Sequence, residues 1–490
     1  MSTQTNWSGN VAYKYKRYHE PTSIEELQQI VRHAEKVRVI GTRHSFSTVA
    51  DPANGAIAEL VSLSRLPFEF ELDEDERQVR CSAHMTCGDL AKRLHAKGWA
   101  LHNMASLPHI SIAGAIGTAT HGSGDANGNL FSAVVSAEFV DAHGALNVCV
   151  GEQPSLGETH DSTLNLLLFG CIGCVVTVTL TIQPTFDVRQ DVYVNVPWSH
   201  IEEQARIEDI FGEAYSVSLF TDWISKDGVQ QAWFKRKVTA GLQPAQGELY
   251  GGKLATRKLH PVPSESATTC TLQGEPPGPW QERLPHFLAE AEPSARGEEL
   301  QSEYFVPREH AAAAARAVHA IGKVLRFALK ISELRSVASD SLWLSPSFRR
   351  PSLCFHFTWG RDEILVNDVL PVLEGALAPF EPRPHWGKIY RYGPIVLART
   401  FPRLPSFRAL AVKMDPTGKF RNRFVSRVLG LQDEFDEPTS TSHKDRRKME
   451  DAAPFPLYGW ALKGMEPRPY DIDRICGHVI GSARDGDDVV

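Results

Sequence analysis

The order of apolar and polar positions predicts alternating helices and strands in the first third of the chain. A capping-box pair, Ser23 and Glu26, precedes apolar residues at helical spacing from 27 to 34. A short apolar run at 37–40 predicts a strand, and residues 89–97, which end at Gly98, predict a second helix. Threonines alternate with aliphatic residues from 176 to 182. Period 2 with β-branched residues predicts a half-buried strand there, rather than a membrane helix.

A different region begins near residue 185. Strand-like runs at 215–223 and 232–237 are followed by a stretch rich in proline, serine and glycine at 260–279, which predicts a surface loop or insertion. The alanine-rich segment 308–325 and residues 367–376 predict helices. Past about 432 the chain is charged with little apolar content. We therefore predict an α+β protein with one domain over 1–184, a second over 185–405, a return to the first over 406–431, and a flexible tail over 432–490.

Composition limits the possible functions. The 490-residue chain is 42% apolar and carries a net charge of −7, which argues against a nucleic-acid partner. Its eight cysteines are scattered, too sparse for a disulfide scaffold, and fit a reducing compartment. The first residues show no secretion signal. We expect a cytoplasmic protein with no nucleic-acid or membrane partner.

Two glycine-containing segments carry the first candidate chemistry. Gly41, Thr42, Arg43, His44 and Ser45 follow the strand at 37–40 and form a potential backbone nest for an anion. The stretch 106–124 has the same small and hydroxyl-bearing residues on a larger scale. Together they predict a pyrophosphate-bearing cofactor held by loops, with the histidine close to it. The alternative is a glycine-rich connector without a ligand.

Two predicted strands of the second region carry the other candidates. Glu333 and Arg335 share one strand face, either as an ordinary cross-strand ion pair or as functional groups. His356 and Thr358 share a face opposite three aromatic residues. Lys388 follows His-Trp-Gly and alone would be an ordinary surface lysine.

Other motifs predict little. No dinucleotide fingerprint, Walker A, zinc-protease or nucleophile-elbow motif is present in the expected context. Cys171 and Cys174 form a CxxC pair, but a strand follows it and no further ligands stand at zinc spacing. We predict small buried residues there and no metal site.

The motifs taken together closely resemble a known family. Residues 41–46, 106–124 and 169–179 are similar to the FAD-binding domain of vanillyl-alcohol-oxidase-type flavoproteins. Within that superfamily the matches resemble the alditol oxidases, also called xylitol or sorbitol oxidases: Asn-Trp-Ser-Gly-Asn from 6, Leu-Pro-His-Ile-Ser-Ile-Ala-Gly from 107, Ser-Glu-Leu-Arg from 332, Leu-Trp-Leu-Ser-Pro from 342, Phe-His-Phe-Thr-Trp from 355, and Arg-Pro-His-Trp-Gly-Lys from 383. They run in order from residue 6 to about 431.

The resemblance implies a two-domain flavoprotein with a PCMH-type FAD-binding domain and an α+β substrate domain. It implies FAD bound covalently through His44. The other cofactor-binding positions it implies are Gly41, Thr42, Arg43, Ser45, Ser106, Ser111, Gly114, Gly117, Thr118, His121 and Val176. The polyol-binding positions it implies are Ser106, Glu333, Arg335, His356, Thr358 and Lys388.

It also implies a reaction. The C1 hydroxyl of a polyol such as xylitol or sorbitol loses a proton as a hydride moves to flavin N5, and oxygen is then reduced to hydrogen peroxide. Glu333 accepts hydrogen bonds, and Arg335 and Lys388 stabilise the developing alkoxide. One of these two cations is also the expected base, with Lys388 favoured, and the sequence does not decide between them. The expected partners are a small polyol and oxygen, and the expected state is a monomer.

Three alternatives stay open at this point. An aldonolactone oxidase of the gulonolactone or galactonolactone type shares the His-Trp-Gly/Ala-Lys pattern, but a lactone lacks the open chain of hydroxyls. A flavin-binding module without oxidase activity is disfavoured by the intact Glu333, Arg335 and Lys388. A dehydrogenase that excludes oxygen would differ at one or two residues that the sequence does not identify.

Overall fold

The computed structural model describes residues 4–52, 57–151, 162–263, 265–291 and 297–431, so the predicted tail at 432–490 lies outside the described residues. The first part of the chain contains a parallel sheet ordered β1-β3-β2, an antiparallel sheet ordered β4-β5-β9-β7-β8, and the pair β6 and β10. Its strands are β1 (Arg17–His19), β2 (Lys36–Ile40), β3 (Ala58–Ser62), β4 (Phe70–Asp73), β5 (Gln78–Ser82), β6 (Trp99–Ala100), β7 (Val134–Val140), β8 (Leu146–Val150), β9 (Cys174–Thr181) and β10 (Gln183–Pro184). Its helices are α1 (Ile24–His33), α2 (Cys87–Ala96) and α3 (Ile112–Gly117).

Helix α1 forms where the capping box predicts it. The Ser23 side chain accepts a hydrogen bond from the backbone N–H of Glu26 at 3.2 Å. Leu27 and Val31, one turn apart, are fully buried against the strands. The chain leaves the helix at Ala34 and enters β2, which pairs in parallel with β3. Strand β2 therefore delivers the turn at 41–45 to the end of a buried sheet.

A larger sheet follows in sequence. Within the described ranges it has ten strands, ordered β14-β15-β11-β13-β12-β18-β19-β17-β20, with β16 on β11. The strands are β11 (Asp187–Val196), β12 (Ser216–Thr221), β13 (Val229–Lys237), β14 (Glu248–Leu249), β15 (Gly252–Leu254), β16 (Gly274–Pro279), β17 (Leu300–Pro307), β18 (Leu329–Val337), β19 (Ser352–Trp359) and β20 (Arg383–Pro384). The helices of this part are α4 (Gln204–Gly212), α5 (Ala311–Ala320), α6 (Gly322–Leu325) and α7 (Glu363–Leu377).

One face of this sheet belongs to the main apolar core. Leu334 on β18 and Phe355, Phe357 and Trp359 on β19 are fully buried together with the apolar residues of α5 and α7. Because side chains alternate along a strand, the residues between them project from the opposite face. The aromatic residues therefore determine that Glu333, His356 and Thr358 face away from the core helices.

The end of the described chain returns to the first sheet. After α8 (Pro394–Thr400), α9 (Leu404–Met414) and α10 (Arg423–Leu429), the loop before α10 contacts β2. The backbone N–H of Val37 donates to Lys419 O at 2.8 Å, and Arg38 donates to Phe420 O at 2.7 Å. These contacts support the predicted return, while the domain boundaries themselves stay predictions.

Two sequence expectations need correction. The stretch 260–279 is not simply a surface loop, because β16 pairs with β11 and Cys270 and Thr271 are fully buried. The long predicted helix at 308–325 is broken into α5 and α6, which meet at Ile321.

Other expectations hold. Cys171 and Cys174 are buried, and burial raises the pKa of each thiol to about 12. Residues 174–181 form a strand, and no helix within the described ranges has both the length and the apolar composition to cross a membrane.

Candidate active site

A cavity of about 340 Å³ lies between the loops of the first part and the large sheet. Its size is within the range of small-molecule sites. All but one of the predicted site residues line it: Gly41, Thr42, Arg43, His44, Ser45, Ser106, Ser111, Gly114, Gly117, Thr118, His121, Glu333, Arg335, His356, Thr358 and Lys388. Residues predicted from widely separated segments therefore meet in one place.

Val176 is the exception. Its side chain is buried in the apolar cluster that covers α1, and its neighbour Val175 lines the cavity instead. The reason is strand periodicity, which turns successive side chains of β9 to opposite faces. The side chain of Val176 therefore does not line the cavity, while its predicted role in binding the cofactor stays a prediction.

The His44 loop is held from outside by the first residues of the chain. Asn6 donates to Ser45 O at 2.9 Å, and Asn10 donates to Phe46 O at 3.0 Å. The Trp7 ring stacks on the His44 imidazole with centroids 5.4 Å apart. Several backbone and ring contacts thus fix the histidine before any ligand binds.

The imidazole of His44 is poised for a ligand. Its Nδ1 lies 3.1 Å from Thr42 Oγ1, whereas its buried Nε2 has no hydrogen-bond partner among the described residues. Burial, with smaller contributions from His109 and Arg43, lowers the pKa of His44 to about 4. His44 is therefore a neutral imidazole near pH 7, and its buried Nε2 is available to contact a ligand.

The glycine-rich segment packs directly on this loop. Ser111 caps α3 by accepting from Gly114 N at 3.3 Å, and its own N–H donates to Thr42 Oγ1 at 3.3 Å. A Cβ on Gly41 would collide with Ser111 Oγ. Glycine is required at that position because the two loops approach so closely. Small side chains and backbone groups therefore form this wall, which we call the loop wall.

The opposite wall is the polar face of the large sheet, which we call the sheet wall. Glu333 on β18 is directly opposite His356 on β19, and His356 is directly opposite Glu303 on β17. Thr358 lies one pleat further along, opposite Gln301. Cross-strand register thus places a row of titratable side chains at β-sheet spacing.

A carboxylate that the sequence reasoning missed lies at the centre of the sheet wall. The side chain of Glu303 is fully buried. Its Oε1 accepts from Arg335 at 2.6 Å, and its Oε2 accepts from Lys388 at 2.7 Å. Arg335 also donates to Ser106 Oγ at 3.1 Å. Glu303 therefore joins the two cations predicted for the substrate site.

The charges of this cluster shift each other's pKa. Burial alone would raise the pKa of Glu303, but Arg335 and Lys388 hold it well below its ordinary value. Burial lowers the pKa of Lys388, and Arg335 adds to this effect while Glu303 opposes it. Against the cost of burial, Glu303 and Glu333 raise the pKa of Arg335. Arg335 is consequently a permanent cation, whereas the charge of Lys388 is easier to remove.

Glu333 has a separate set of partners. Its Oε1 lies 2.7 Å from His286 Nε2, and its Oε2 lies 3.4 Å from His356 Nδ1. Arg335 and His286 overcome the effect of burial and hold the pKa of Glu333 well below its ordinary value. Burial lowers the pKa of His356 to about 4, and its Nε2 has no hydrogen-bond partner among the described residues. Neutral His356 can thus donate or accept toward the cavity.

The loop that carries Lys388 is attached to the His44 loop. The backbone N–H of Phe46 donates to Gly387 O at 2.7 Å, and Ser47 Oγ donates to Trp386 O at 2.7 Å. The Trp386 ring is fully buried and donates to Leu344 O. These bonds fix the distance between the two walls.

Two observations test which groups the cavity suits. His44, with its unpartnered nitrogen, and the close-packed glycine loops suit a phosphate-bearing cofactor such as FAD. His121, Glu303 and His385 lie close enough together to hold a metal ion. Glu303 already bonds two cationic side chains, so a third cation there would be repelled. The residues fit FAD and do not favour a metal.

Signals for the missed residues were weak. Glu303 is the single carboxylate of the mainly apolar strand β17. A charged residue in such a strand is buried only when a residue from elsewhere in the fold pairs with it, and the sequence does not show which residue that is. His286 lies in an irregular segment with no periodic pattern. His385 belongs to the segment Arg-Pro-His-Trp-Gly-Lys, in which the resemblance assigns a role to Lys388 alone.

Comparison with known proteins agrees with this geometry. A family profile described as an FAD binding domain matches residues 15–149, and one described as D-arabinono-1,4-lactone oxidase matches residues 296–428. An alditol oxidase from a Streptomyces species is 42% identical over 88% of this chain and 100% of its own length. A mouse L-gulonolactone oxidase is 24% identical over 86% of this chain and 97% of its own.

Solved structures show the same fold at lower identity. A solvent-stable cholesterol oxidase aligns with a TM-score of 0.67 at 15% identity, over 88% of this chain and 97% of its own. The predicted α+β architecture with a PCMH-type FAD-binding domain is confirmed. The sequence identity to the alditol oxidase, 42%, is well above the 24% identity to the L-gulonolactone oxidase. The chain belongs to the alditol oxidase family of vanillyl-alcohol-oxidase-type flavoproteins.

Proposed function

We propose that this protein is an FAD-dependent alditol oxidase, which oxidises the C1 hydroxyl of polyols such as xylitol and sorbitol to the aldose and reduces oxygen to hydrogen peroxide. The observation that carries the proposal is the shared cavity. One wall presents the unpartnered nitrogen of His44, and the other presents hydroxyl-binding side chains around Glu303.

The loop wall would hold FAD. The turn at 41–45 and the cap of α3 at Ser111 supply backbone donors for the pyrophosphate. His44 would form the covalent bond to the cofactor through a ring nitrogen, because its imidazole is neutral and already oriented by Trp7. When bound, FAD supplies the two-electron acceptor for the substrate C–H bond and passes the electrons to oxygen.

The sheet wall would hold the polyol. A polyol offers only hydroxyl groups, so its site requires donors and acceptors at several positions. Glu333 accepts, Arg335 donates, and Ser106, His356 and Thr358 can do either. A site of this kind discriminates strongly against analogues that lack a hydroxyl, because the buried polar groups then lose their partners.

Arg335 and Lys388 would have different tasks. Arg335 stays charged, so it is suited to stabilise the alkoxide that develops on C1. Lys388, whose pKa is lowered, is suited to take the hydroxyl proton on Nζ. The bond from Lys388 Nζ to Glu303 orients the amine and keeps it within the site.

A comparison of substrates tests the proposal against the lactone alternative. Oxygen uptake and peroxide formation should be rapid with xylitol or sorbitol and slow with L-gulono-1,4-lactone. Thr358→Val should raise KM for xylitol by about tenfold, the cost of one lost hydrogen bond, while Thr358→Ser should stay near the parent value. Faster turnover of the lactone would reject the polyol assignment. Turnover of xylitol with artificial acceptors but not with oxygen would indicate a dehydrogenase.

The cellular setting is part of the proposal. Seven cysteines of the described residues are buried and form no disulfide bond there. Buried thiols of this kind suit a reducing compartment, so we propose a cytoplasmic enzyme. The monomeric state stays an expectation.

A further inference from the structure

A buried lysine lies beside the cavity, on the same sheet face as the sheet wall but not among the residues that line the cavity. Lys235 on β13 is fully buried. Lys235 and Trp233 are two residues apart on β13 and so share a sheet face. Trp233 is opposite Ser218 on β12, and Ser218 is opposite Arg335 on β18. Lys235 therefore lies on the same face as the substrate site, two strands away from β18.

The ammonium group of Lys235 has three acceptors. Its Nζ donates to Leu284 O at 2.5 Å and to Pro285 O at 3.0 Å, and it lies 3.1 Å from His286 Nδ1. An ammonium carries three protons and no lone pair. When Lys235 is charged, each proton thus has one acceptor, and His286 Nδ1 is one of them. The Glu333 carboxylate, 2.7 Å from His286 Nε2, can only accept and so requires the same arrangement of the ring protons.

This arrangement determines the tautomer of His286. An imidazole that accepts at Nδ1 carries its proton on Nε2. His286 Nε2 lies 2.7 Å from Glu333 Oε1, so the N–H points at the carboxylate. Burial, with Lys235 adding to it, lowers the pKa of His286 to about 4, which keeps the ring neutral near pH 7.

The segment around His286 also contacts the other side of the site. The backbone N–H of His286 donates to Ser106 O at 2.9 Å. Phe220 and Trp233 meet the imidazole edge to face, with centroids 5.5 and 5.2 Å away. The ring plane is therefore fixed between two aromatic side chains while its nitrogens join Lys235 to Glu333.

We propose that Lys235 and His286 are positioning residues of the polyol site: Lys235, together with the Glu333 carboxylate, favours the Nε2–H tautomer of His286, and this N–H holds Glu333 as an acceptor for a substrate hydroxyl. This inference rests on the proposed function for its kinetic consequence, but not for the tautomer. A lysine without this task would be unfavourable here, because burial lowers its pKa to about 7 although Glu333 opposes the shift.

The tautomer can be measured without any substrate. We would label the histidines of the full-length holoenzyme with 15N and record the ring-nitrogen spectrum near pH 7, assigning His286 by the signals that His286→Gln removes. We expect a protonated Nε2 and an unprotonated Nδ1. A proton on Nδ1, or on both nitrogens, would overturn the proposal. Because this result does not depend on turnover, it decides the tautomer even if xylitol is not the substrate.

Kinetics then test the consequence for Glu333. Lys235→Met should lower kcat/KM for xylitol by about tenfold with unchanged FAD content, since small displacements of a binding group reduce the rate steeply. His286→Leu should lower it by about a hundredfold, and His286→Gln, whose amide can still donate to Glu333, should recover most of the loss.

Lys237→Met is the matched control. Lys237 lies on the same strand, two residues away, and its Nζ packs on the rings of Phe186 and Tyr215 at 4.0 and 4.1 Å. It should stay within about twofold of the parent enzyme, because surface substitutions of this kind have small effects. Parent-like kinetics in both Lys235→Met and His286→Leu would contradict the positioning role. Should Lys235→Met fail to fold, the rescue of His286→Leu by His286→Gln still decides the question.

Discussion

The two walls of the cavity differ in the chemical groups that they present to a ligand. The loop wall consists mainly of glycines and small hydroxyl residues, together with Arg43, His44 and His121. The sheet wall consists mainly of long polar side chains on paired strands, in which Arg335 contacts both Glu303 and Glu333, and Glu303 also bonds Lys388. Loops can approach a phosphate closely, whereas strands hold side chains at fixed spacing. Under the proposed function, the comparison assigns the charged groups of this site to the substrate and the backbone groups to the cofactor.

Substitution of Arg335 should have the largest effect on the sheet wall. Arg335→Met removes the permanent cation beside the reacting hydroxyl, and kcat should fall by about a thousandfold, as for loss of an oxyanion donor. Stopped-flow measurement of flavin reduction by xylitol would show it. Arg335→Lys should recover part of the rate, because it keeps the charge but not the fork geometry. A rise in KM with an unchanged kcat would show that Arg335 only binds substrate.

Substitution of Glu303 should have the second-largest effect. Glu303→Gln leaves Arg335 and Lys388 as two buried cations without their shared carboxylate, so kcat/KM should fall by about a hundredfold. The thermal midpoint should fall as well. Glu298→Gln, at a more exposed glutamate just before β17, serves as the control. Parent-like activity and stability in Glu303→Gln would remove Glu303 from the site.

The loop wall is tested by His44→Ala. This variant should bind FAD without a covalent bond, so acid precipitation should leave the yellow colour in the supernatant. Turnover should fall by no more than about tenfold, because the remaining loop contacts still orient the cofactor. His109→Gln is the control, since His109 lies near His44 but does not line the cavity. Colour that stays with the precipitated His44→Ala protein would place the bond elsewhere.

The smallest expected effect is a dependence of the free energy of unfolding on pH. His286 and His356 have pKa values of about 4 in the folded protein and an ordinary value of 6.5. Between pH 4 and 6.5 the unfolded chain therefore binds more protons than the folded protein. The stability that the two neutral histidines contribute is fully present above pH 6.5 and is lost as the pH falls towards 4. Each histidine should lower the free energy of unfolding by about 1.4 kcal/mol per pH unit in that window.

Urea unfolding of the holoenzyme at pH 7, 6 and 5 would measure this slope. His286→Gln should reduce it by about 1.4 kcal/mol per pH unit, because the contribution of this histidine is gone. A slope that is unchanged in this variant would contradict the buried, neutral state of His286.

Local patterns predicted much of the fold. The capping box at Ser23 and the alternation in β9 gave the correct element types, because both depend on neighbouring residues. The aromatic residues of β19 indicated which face of that strand is buried, and so placed His356 and Thr358 on the cavity side. The resemblance to a family then joined segments that are hundreds of residues apart.

The remaining features depend on contacts between distant elements. Glu303 acquires its importance from partners on β18 and at position 388, and nothing near it in sequence marks it. His286 lies next to a stretch that looked like a surface loop, yet its backbone reaches Ser106. The side chain of Val176 faces the apolar cluster and that of Val175 faces the cavity, because one residue along a strand is the difference between the two faces.

An anaerobic titration of the purified protein with xylitol, followed in the visible flavin band, tests the central claim most directly. The account predicts that xylitol bleaches the band, that oxygen restores it, and that the colour remains with acid-precipitated protein. A bound flavin that xylitol leaves oxidised, but that L-gulono-1,4-lactone bleaches, would contradict the assignment of the sheet wall to a polyol.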